Sequence, residues 1–182
     1  MFETRSNKER VGIALDFLLD GLRPFLEQYF KRIYGVGWEE KTREHDPKVR
    51  DSNRDTNKRD NRDTNKRDNR DTNKGSVRGK KFSEWDAFSI LKFMAYDREV
   101  FSEILDSSGY GRGRYLSGLA FELFEVRNKW AHGETFTLDD AYRVFDSAHR
   151  LLMGVSAPEA MLLRQDKKEV RKLLVQEDER GF

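Results

Sequence analysis

The sequence predicts an all-α fold, and three observations support this prediction. Apolar residues recur at helical spacing along most of the chain. Helix-start and helix-stop signals flank these segments, among them the capping-box sequence Ser6–Glu9 and the glycines Gly35 and Gly37. No segment alternates apolar β-branched residues with polar ones, as a half-buried strand would. The chain is therefore expected to form a bundle of helices.

The first predicted helix carries an apolar stripe from Val11 onward, and Pro24 is expected to kink or divide it. Ser83 is predicted to begin the next helix, which bears Trp85, and Asp97 to cap a shorter one. The segment Gly109–Arg114 is expected to be a loop. The three remaining helices are predicted from Tyr115 to about Ala131, from Thr137 to about Met153, and from Ser156 onward.

Composition excludes several classes of site. The 182 residues include no Cys, so there is no disulfide, thiolate zinc ligand or Cys nucleophile. Only three His occur, without metal-ligand spacing, and we expect neither a metal nor a cofactor. No apolar stretch is long enough to cross a membrane, and the N-terminal residues do not resemble a secretory signal. A cytoplasmic location is therefore expected.

A low-complexity segment interrupts the chain at 46–81. The octamer Asn-Arg-Asp-Thr-Asn-Lys-Arg-Asp occupies 53–60 and 61–68 and is cut short at 69–74. This segment has 13 Lys and Arg against seven Asp, a net charge of +6, and almost no apolar residues. It cannot bury enough apolar surface to offset its ordering entropy, so it is predicted to be a disordered insert between early helices. A solvated linker is the simpler interpretation, and a basic arm that binds nucleic acid is the alternative.

The insert predicts a four-part organisation. Residues 1–45 form the first part of the helical domain, 46–81 the insert, 82–160 the remainder of the domain, and 161–182 a C-terminal helix or tail.

The helix predicted from Tyr115 has an anomalous charge. Its core stripe runs through Leu116, Leu119, Ala120, Leu123 and Trp130, and Arg127 falls in the middle of that stripe. A buried guanidinium is costly unless it is paired. A second face holds Phe121, Phe124, Asn128 and His132, which suggests that another surface covers it, most simply a second copy of the protein.

The segment Arg127–His132 is the strongest candidate for chemistry. Arginine stays protonated and suits a phosphate, and histidine exchanges a proton near neutral pH. Asn128 shares a face with His132 and could bond its ring or a substrate oxygen. On an ideal helix Arg127 and His132 point about 140° apart, so one site needs local unwinding or two chains. From spacing alone, a helix-capping His and an ion-paired structural Arg remain an open alternative.

The motif Arg127-Asn-x-x-x-His132, late on a long helix, resembles the hallmark of the HEPN superfamily. The segments "ALDFLLDGLRPFLEQYF" and "GRGRYLSGLAFELFEVRNKWAHGETFTLDDAYRVFDSAHRLL" are similar to its Swt-one-like branch, over roughly 7–38 and 82–160. The resemblance implies a HEPN-type helical bundle that acts as a homodimer. It also implies metal-independent endoribonuclease activity through the 2′-OH of RNA, in a toxin or phage-defence setting.

The resemblance assigns roles to three residues. His132 would act as general base or acid, and Arg127 would hold the scissile phosphate. Asn128 would position His132 or the phosphate. Arg112 and Arg114 in the predicted glycine-rich loop, together with Lys129, are further candidates for RNA contacts. For the two arginines, an ordinary solvated loop is the alternative. An antitoxin or ATPase partner is implied, although Glu134 replaces the Tyr that some antitoxins of this superfamily modify. Because some HEPN domains are not nucleases, a non-catalytic dimerisation or RNA-binding module in a larger defence complex is the alternative.

Overall fold

Six α-helices and one short 3-10 turn make up the part of the chain that the computed structural model describes, which is residues 5–44, 80–96 and 112–180. No strand occurs among these residues, which confirms the all-α prediction. The predicted helix capped by Asp97 and the octamer repeats lie outside them. The helices are α1 (Asn7–Tyr34), α2 (Trp38–Glu44), α3 (Ala87–Tyr96), α4 (Arg112–Ala131), α5 (Leu138–Gly154) and α6 (Glu159–Arg180), with the 3-10 turn at Phe82–Glu84.

Helix α1 is the central helix of the bundle and contacts every other helix named above. The predicted capping box is confirmed, since the Glu9 backbone N–H donates to Ser6 Oγ at 3.2 Å and the Ser6 N–H donates to Glu9 Oε2 at 2.7 Å. Pro24 was expected to kink or divide this helix; it does not divide it, because α1 is continuous to Tyr34. Leu22 and Leu26 on either side of the proline are fully buried. Their packing holds the helix together across the missing N–H donor.

An aromatic cluster joins the two segments that flank the insert. The Phe30 ring of α1 lies 5.8 Å from Phe82 and 5.2 Å from Phe93, measured between ring centroids. Trp38 of α2 lies 5.3 Å from Phe82. Aromatic pairs at these separations add to the free energy of burial. The segment before the insert and the segment after it therefore pack next to each other in the core.

The start of α3 differs from the prediction. Ser83 lies in the 3-10 turn, and Trp85 has an extended backbone and is 1% exposed. The cap of α3 is Asp86, whose Oδ1 accepts from the Ser89 backbone N–H at 2.9 Å. Burial of the Trp85 indole in the core thus moves the helix start beyond it.

The glycine-rich segment before α4 was also predicted incorrectly in part. Helix α4 begins at Arg112, so Arg112 and Arg114 belong to its first turn and not to a loop. The end of α4 at Ala131 agrees with the prediction. The N-cap at Thr137 is confirmed by a second capping box with Asp140.

The remaining helices close the bundle around α1. Helix α3 packs on α4, α4 on α5, and α5 on α6. Leu123 of α4 and Phe145 of α5 are buried in the shared core. In α6, Ala160, Leu163 and Val170 are buried, so the proposed boundary before residue 161 falls within a helix that packs on the bundle.

Candidate functional site

A glycine-terminated cap fixes the position of His132 at the C-terminal end of α4. The Gly133 N–H donates to the Trp130 carbonyl at 3.3 Å, and the Glu134 N–H donates to the Lys129 carbonyl at 3.1 Å. This pair of bonds is the Schellman arrangement, which requires a left-handed residue after the C-cap. Gly133 has a φ of 79° and fills that position. His132 is therefore the C-cap residue, and its side chain is exposed.

The charge of Arg127 is compensated by two groups that precede or open α3. Its Nη2 atom lies 3.3 Å from Asp86 Oδ2. Its guanidinium carbon lies 4.6 Å from the centroid of the Phe88 ring, a cation–π contact. The Arg127 side chain remains 23% exposed. The anomaly seen in the sequence is therefore a paired cation at the edge of the core.

Helix α3 covers much of the second apolar face of α4. The Phe124 ring packs 5.1 Å from Phe88 and 5.8 Å from Tyr96, between centroids, and Phe124 is buried. Phe121 and Tyr96 stay 42% and 48% exposed and contact each other. A neighbouring helix of the same chain thus accounts for part of the face that we had expected a second copy to cover. Asn128 lies on this side of α4 and is partly buried.

The first turn of α1 is tied to the end of α4. Trp130 Nε1 donates to the Lys8 carbonyl at 3.1 Å. Beyond the helix, Asn7 Nδ2 donates to the Phe136 carbonyl at 3.1 Å. A Cβ at Gly133 would lie 3.9 Å from Lys8 Nζ, which places that ammonium beside the cap. Lys8 is a basic neighbour of the motif that the sequence pattern did not indicate, because it lies 124 positions before His132.

The two charged motif residues do not meet within one chain. Arg127 contacts Asp86 and Phe88, whereas His132 lies five residues further along at the cap beside α1. No hydrogen bond, ion pair or ring contact joins Arg127 to His132 in the described structure. Helix α4 is regular as far as Ala131, and the His132 N–H still donates to the Asn128 carbonyl at 3.0 Å, so the helix does not unwind before His132 to bring the two side chains together.

The three predicted RNA contacts occupy both ends of α4. Lys129 is exposed in the last turn, and its charge adds to the lowering of the pKa of Asp140, which is caused mainly by the backbone and side-chain hydrogen bonds from Thr137. Arg114 is exposed in the first turn, about 20 Å along the axis from Arg127. Arg112 opens the same turn. The structure therefore groups Lys129 with the motif and separates the other two from it.

Within the described ranges, no group of three or more His, Asp or Glu side chains could hold a metal ion. None of the helices in those ranges is both long and apolar enough to span a bilayer.

Comparison with protein families identifies the fold. A family model described as Swt1-like HEPN matches residues 13–156, which is most of the chain. The chain belongs to the Swt1-like HEPN family. HEPN domains typically dimerise and bind RNA, and membership indicates an RNase or an RNA-binding, defence-related module without selecting between them. Neither the curated proteins nor the solved structures contain a match to this HEPN chain.

Proposed function

We propose that this HEPN protein is a metal-independent endoribonuclease that acts as a homodimer in the cytoplasm, in a toxin or phage-defence setting. The observation that carries the proposal is that one helix presents both an anchored, partly exposed guanidinium at Arg127 and, about 7.5 Å further along its axis, an exposed imidazole at His132. Family membership supports RNA as the substrate.

The proposed reaction is an attack of the RNA 2′-oxygen on the adjacent phosphorus. A general base removes the 2′-OH proton, the P–O5′ bond breaks, and the 5′-oxygen takes up a proton. The products are a 2′,3′-cyclic phosphate and a 5′-OH end. His132 serves as base or acid in these proton transfers. The fixed positive charge of Arg127 stabilises the additional negative charge on the phosphorane-like transition state.

The other candidate residues have supporting roles. Asn128, on the side of α4 that leads to His132, would position the imidazole or a phosphate oxygen. Lys129 would contact RNA next to the cleaved bond, and Arg112 and Arg114 would contact the backbone several nucleotides away. The exposure of Arg114 and Lys129 in the structure supports these roles. An antitoxin or ATPase partner would hold the activity in check.

The test is cleavage of RNA by purified protein in the presence of EDTA. Wild type is expected to cleave and to leave cyclic phosphate ends, and His132→Ala and Arg127→Ala to lose at least 100-fold in rate, the usual scale for removing an acid–base or charge-stabilising group. His149→Gln is the matched control, because this histidine lies on α5 and is expected to leave the rate unchanged. A substrate with a single 2′-deoxy nucleotide at the cleaved position should not be cleaved there, because it lacks the attacking 2′-oxygen.

A second function is favoured by one observation, the absence of any contact between Arg127 and His132 within the described chain. A non-catalytic module that binds RNA or dimerises inside a larger complex needs no such contact. Identical RNA patterns from wild type and His132→Ala, with RNA binding retained, would select this alternative over the nuclease.

A further inference from the structure

We propose that Asp86 is a positioning residue for Arg127, so that the N-cap of α3 sets the orientation of the guanidinium that faces the scissile phosphate. This inference rests on the proposed function and adds a residue 41 positions away from the motif. Asp86 would act only through Arg127 and would not touch the RNA.

The carboxylate of Asp86 is held in place by the helix that it caps. Its Oδ1 atom accepts from the Ser89 backbone N–H at 2.9 Å and from Ser89 Oγ at 2.8 Å. The Asp86 carbonyl accepts from the Ile90 N–H at 3.1 Å, which completes the first turn of α3. Ser89 is buried at 1% exposure. The capping oxygen is thus fixed to the core, and the position of the second oxygen follows from it.

The second oxygen, Oδ2, is the one that contacts Arg127 Nη2 at 3.3 Å. The two carboxylate oxygens therefore have different partners. Oδ1 caps the N-terminus of α3, and Oδ2 accepts a hydrogen bond from the guanidinium. The Phe88 ring, two residues along in the first turn of α3, lies 4.6 Å from the guanidinium carbon, measured to the ring centroid. Because the cap and the ring belong to the same helical turn, Arg127 is oriented by two contacts from one element.

This arrangement leaves part of the guanidinium available. Arginine has five N–H donors in a planar fork, and Asp86 engages only the Nη2 end. The side chain of Arg127 is 23% exposed, so the remaining donors are what we propose a phosphate to bind. Asp86 is itself 49% exposed, so the ion pair lies at the solvent boundary where RNA can approach. A side chain as flexible as arginine is most effective in catalysis when its orientation is fixed beforehand.

The test separates the cap from the ion pair. Asp86→Asn and Asp86→Ser both keep an N-cap acceptor for α3 but remove the carboxylate charge. Each is expected to lower kcat 10- to 100-fold with little rise in KM, while the midpoint of thermal unfolding stays well above the assay temperature. Asp146→Asn is the matched control, because this carboxylate pairs with Arg150 of α5 and Lys167 of α6, remote from the motif. It should leave kcat unchanged.

A double-mutant cycle distinguishes positioning from a structural role. In the Arg127→Lys background, Asp86→Asn should change kcat by less than about twofold, since there is no guanidinium left to orient. A structural defect would instead lower kcat by the same factor in both backgrounds, and that result would overturn the inference. Equal kcat for Asp86→Asn and wild type would overturn it as well.

The inference about Asp86 can also be tested if the proposed nuclease function is wrong. If wild type does not cleave RNA, affinity for a fluorescent single-stranded RNA replaces kcat in the same cycle, with Arg127→Ala as the second substitution. The inference then requires a change in affinity from Asp86→Asn that is present with Arg127 and absent in the Arg127→Ala background. Equal changes in both backgrounds, or none in either, would reject it.

Discussion

At the scale of single residues, two helical glycines differ in what lies beside them. A Cβ added at Gly154 would come within 2.8 Å of Leu116 Cδ1, and closer still to Leu116 Cδ2. Leu116 is itself buried, so it has little room to move. A Cβ at Gly118 would meet nothing within 4 Å among the described residues. The first glycine allows α4 and α5 to approach, and the second serves no such purpose.

We therefore predict opposite effects of the same substitution at these two sites. Gly154→Ala should lower the free energy of unfolding by about 1–3 kcal/mol, because it overpacks the contact with Leu116. Gly118→Ala should raise it by up to about 1 kcal/mol, because alanine loses less backbone entropy in a helix. Urea denaturation of both variants beside wild type measures the two changes. A stabilised Gly154→Ala protein would show that the two helices can separate without loss.

The sequence was sufficient to predict where Arg127 and His132 lie on the fold. Helical spacing places both near the end of a long helix, whereas their selection as a candidate site came from the resemblance to the HEPN superfamily and stays a prediction. That a guanidinium within an apolar stripe needs a partner also follows from its charge. The identity of that partner does not, because Asp86 is 41 positions away and several acidic residues were equally eligible. The packing of α3 on α4 determines that Asp86 is the partner of Arg127.

At the scale of helices, α5 and α6 are joined by a group of charged residues. Asp146 of α5 pairs with Lys167 of α6 and, at 2.7 Å, with Arg150 of its own helix. His149 lies in this group and is partly buried. Its pKa is lowered, chiefly by desolvation and then by the charge of Lys167, and Arg164 and Arg150 act in the same direction while Asp146 opposes them. The native contact of the two helices therefore favours the neutral imidazole.

This shift predicts a loss of stability on mild acidification. Because the pKa of His149 is lower in the folded state, the unfolded chain binds more protons as the pH falls through the ordinary histidine value of about 6.5. The free energy of unfolding should therefore decrease between pH 7.5 and 5.5, and it should decrease less in His149→Gln. Urea denaturation at both pH values measures the difference between the two proteins. Equal decreases would show that another group is responsible.

Helix boundaries were predictable where local chemistry fixes them. The capping box at Ser6, the helix start at Thr137 and the end of α4 near Ala131 depend on short-range signals, and all three predictions are confirmed. The start of α3 depends on distant contacts and was predicted wrongly, and the continuity of α1 at Pro24 depends on such contacts too. Trp85 stays outside α3 because its ring is buried in the aromatic cluster, and α1 continues through Pro24 because leucines on both sides are buried.

At the scale of the whole molecule, one copy of the chain does not bring the two motif side chains together. Arg127 faces α3 and His132 lies at the cap beside α1, with no contact between them in the described structure. The exposed rings of Phe121 and Tyr96 lie on the side of α4 that holds Asn128. Under the proposed function, we infer that a twofold axis lies beside this surface and that the Arg127 of one protomer acts together with the His132 of its partner.

Mixed dimers test this arrangement. We predict that a heterodimer of Arg127→Ala and His132→Ala chains, co-expressed with different tags and purified through both, has about half the wild-type activity, because one of its two shared sites is intact. Each parent homodimer should be inactive. A heterodimer of His132→Ala with the doubly substituted chain is the control, since it cannot assemble a complete site. Inactivity of the test heterodimer would show that the Arg and His of a site come from the same chain.

The contact between Trp38 and Phe82 has a consequence for how the gene can change. Trp38, before the octamer repeats, and Phe82, after them, pack in one aromatic cluster, so the helical segments on either side are held together by contacts that do not involve the repeats. For a flexible loop, as its composition predicts, each doubling of length costs only about 0.6 kcal/mol in closure entropy. Gain or loss of whole octamers by slippage during DNA replication would then change the free energy of folding very little. Related strains could therefore differ in the number of octamers and share the same fold.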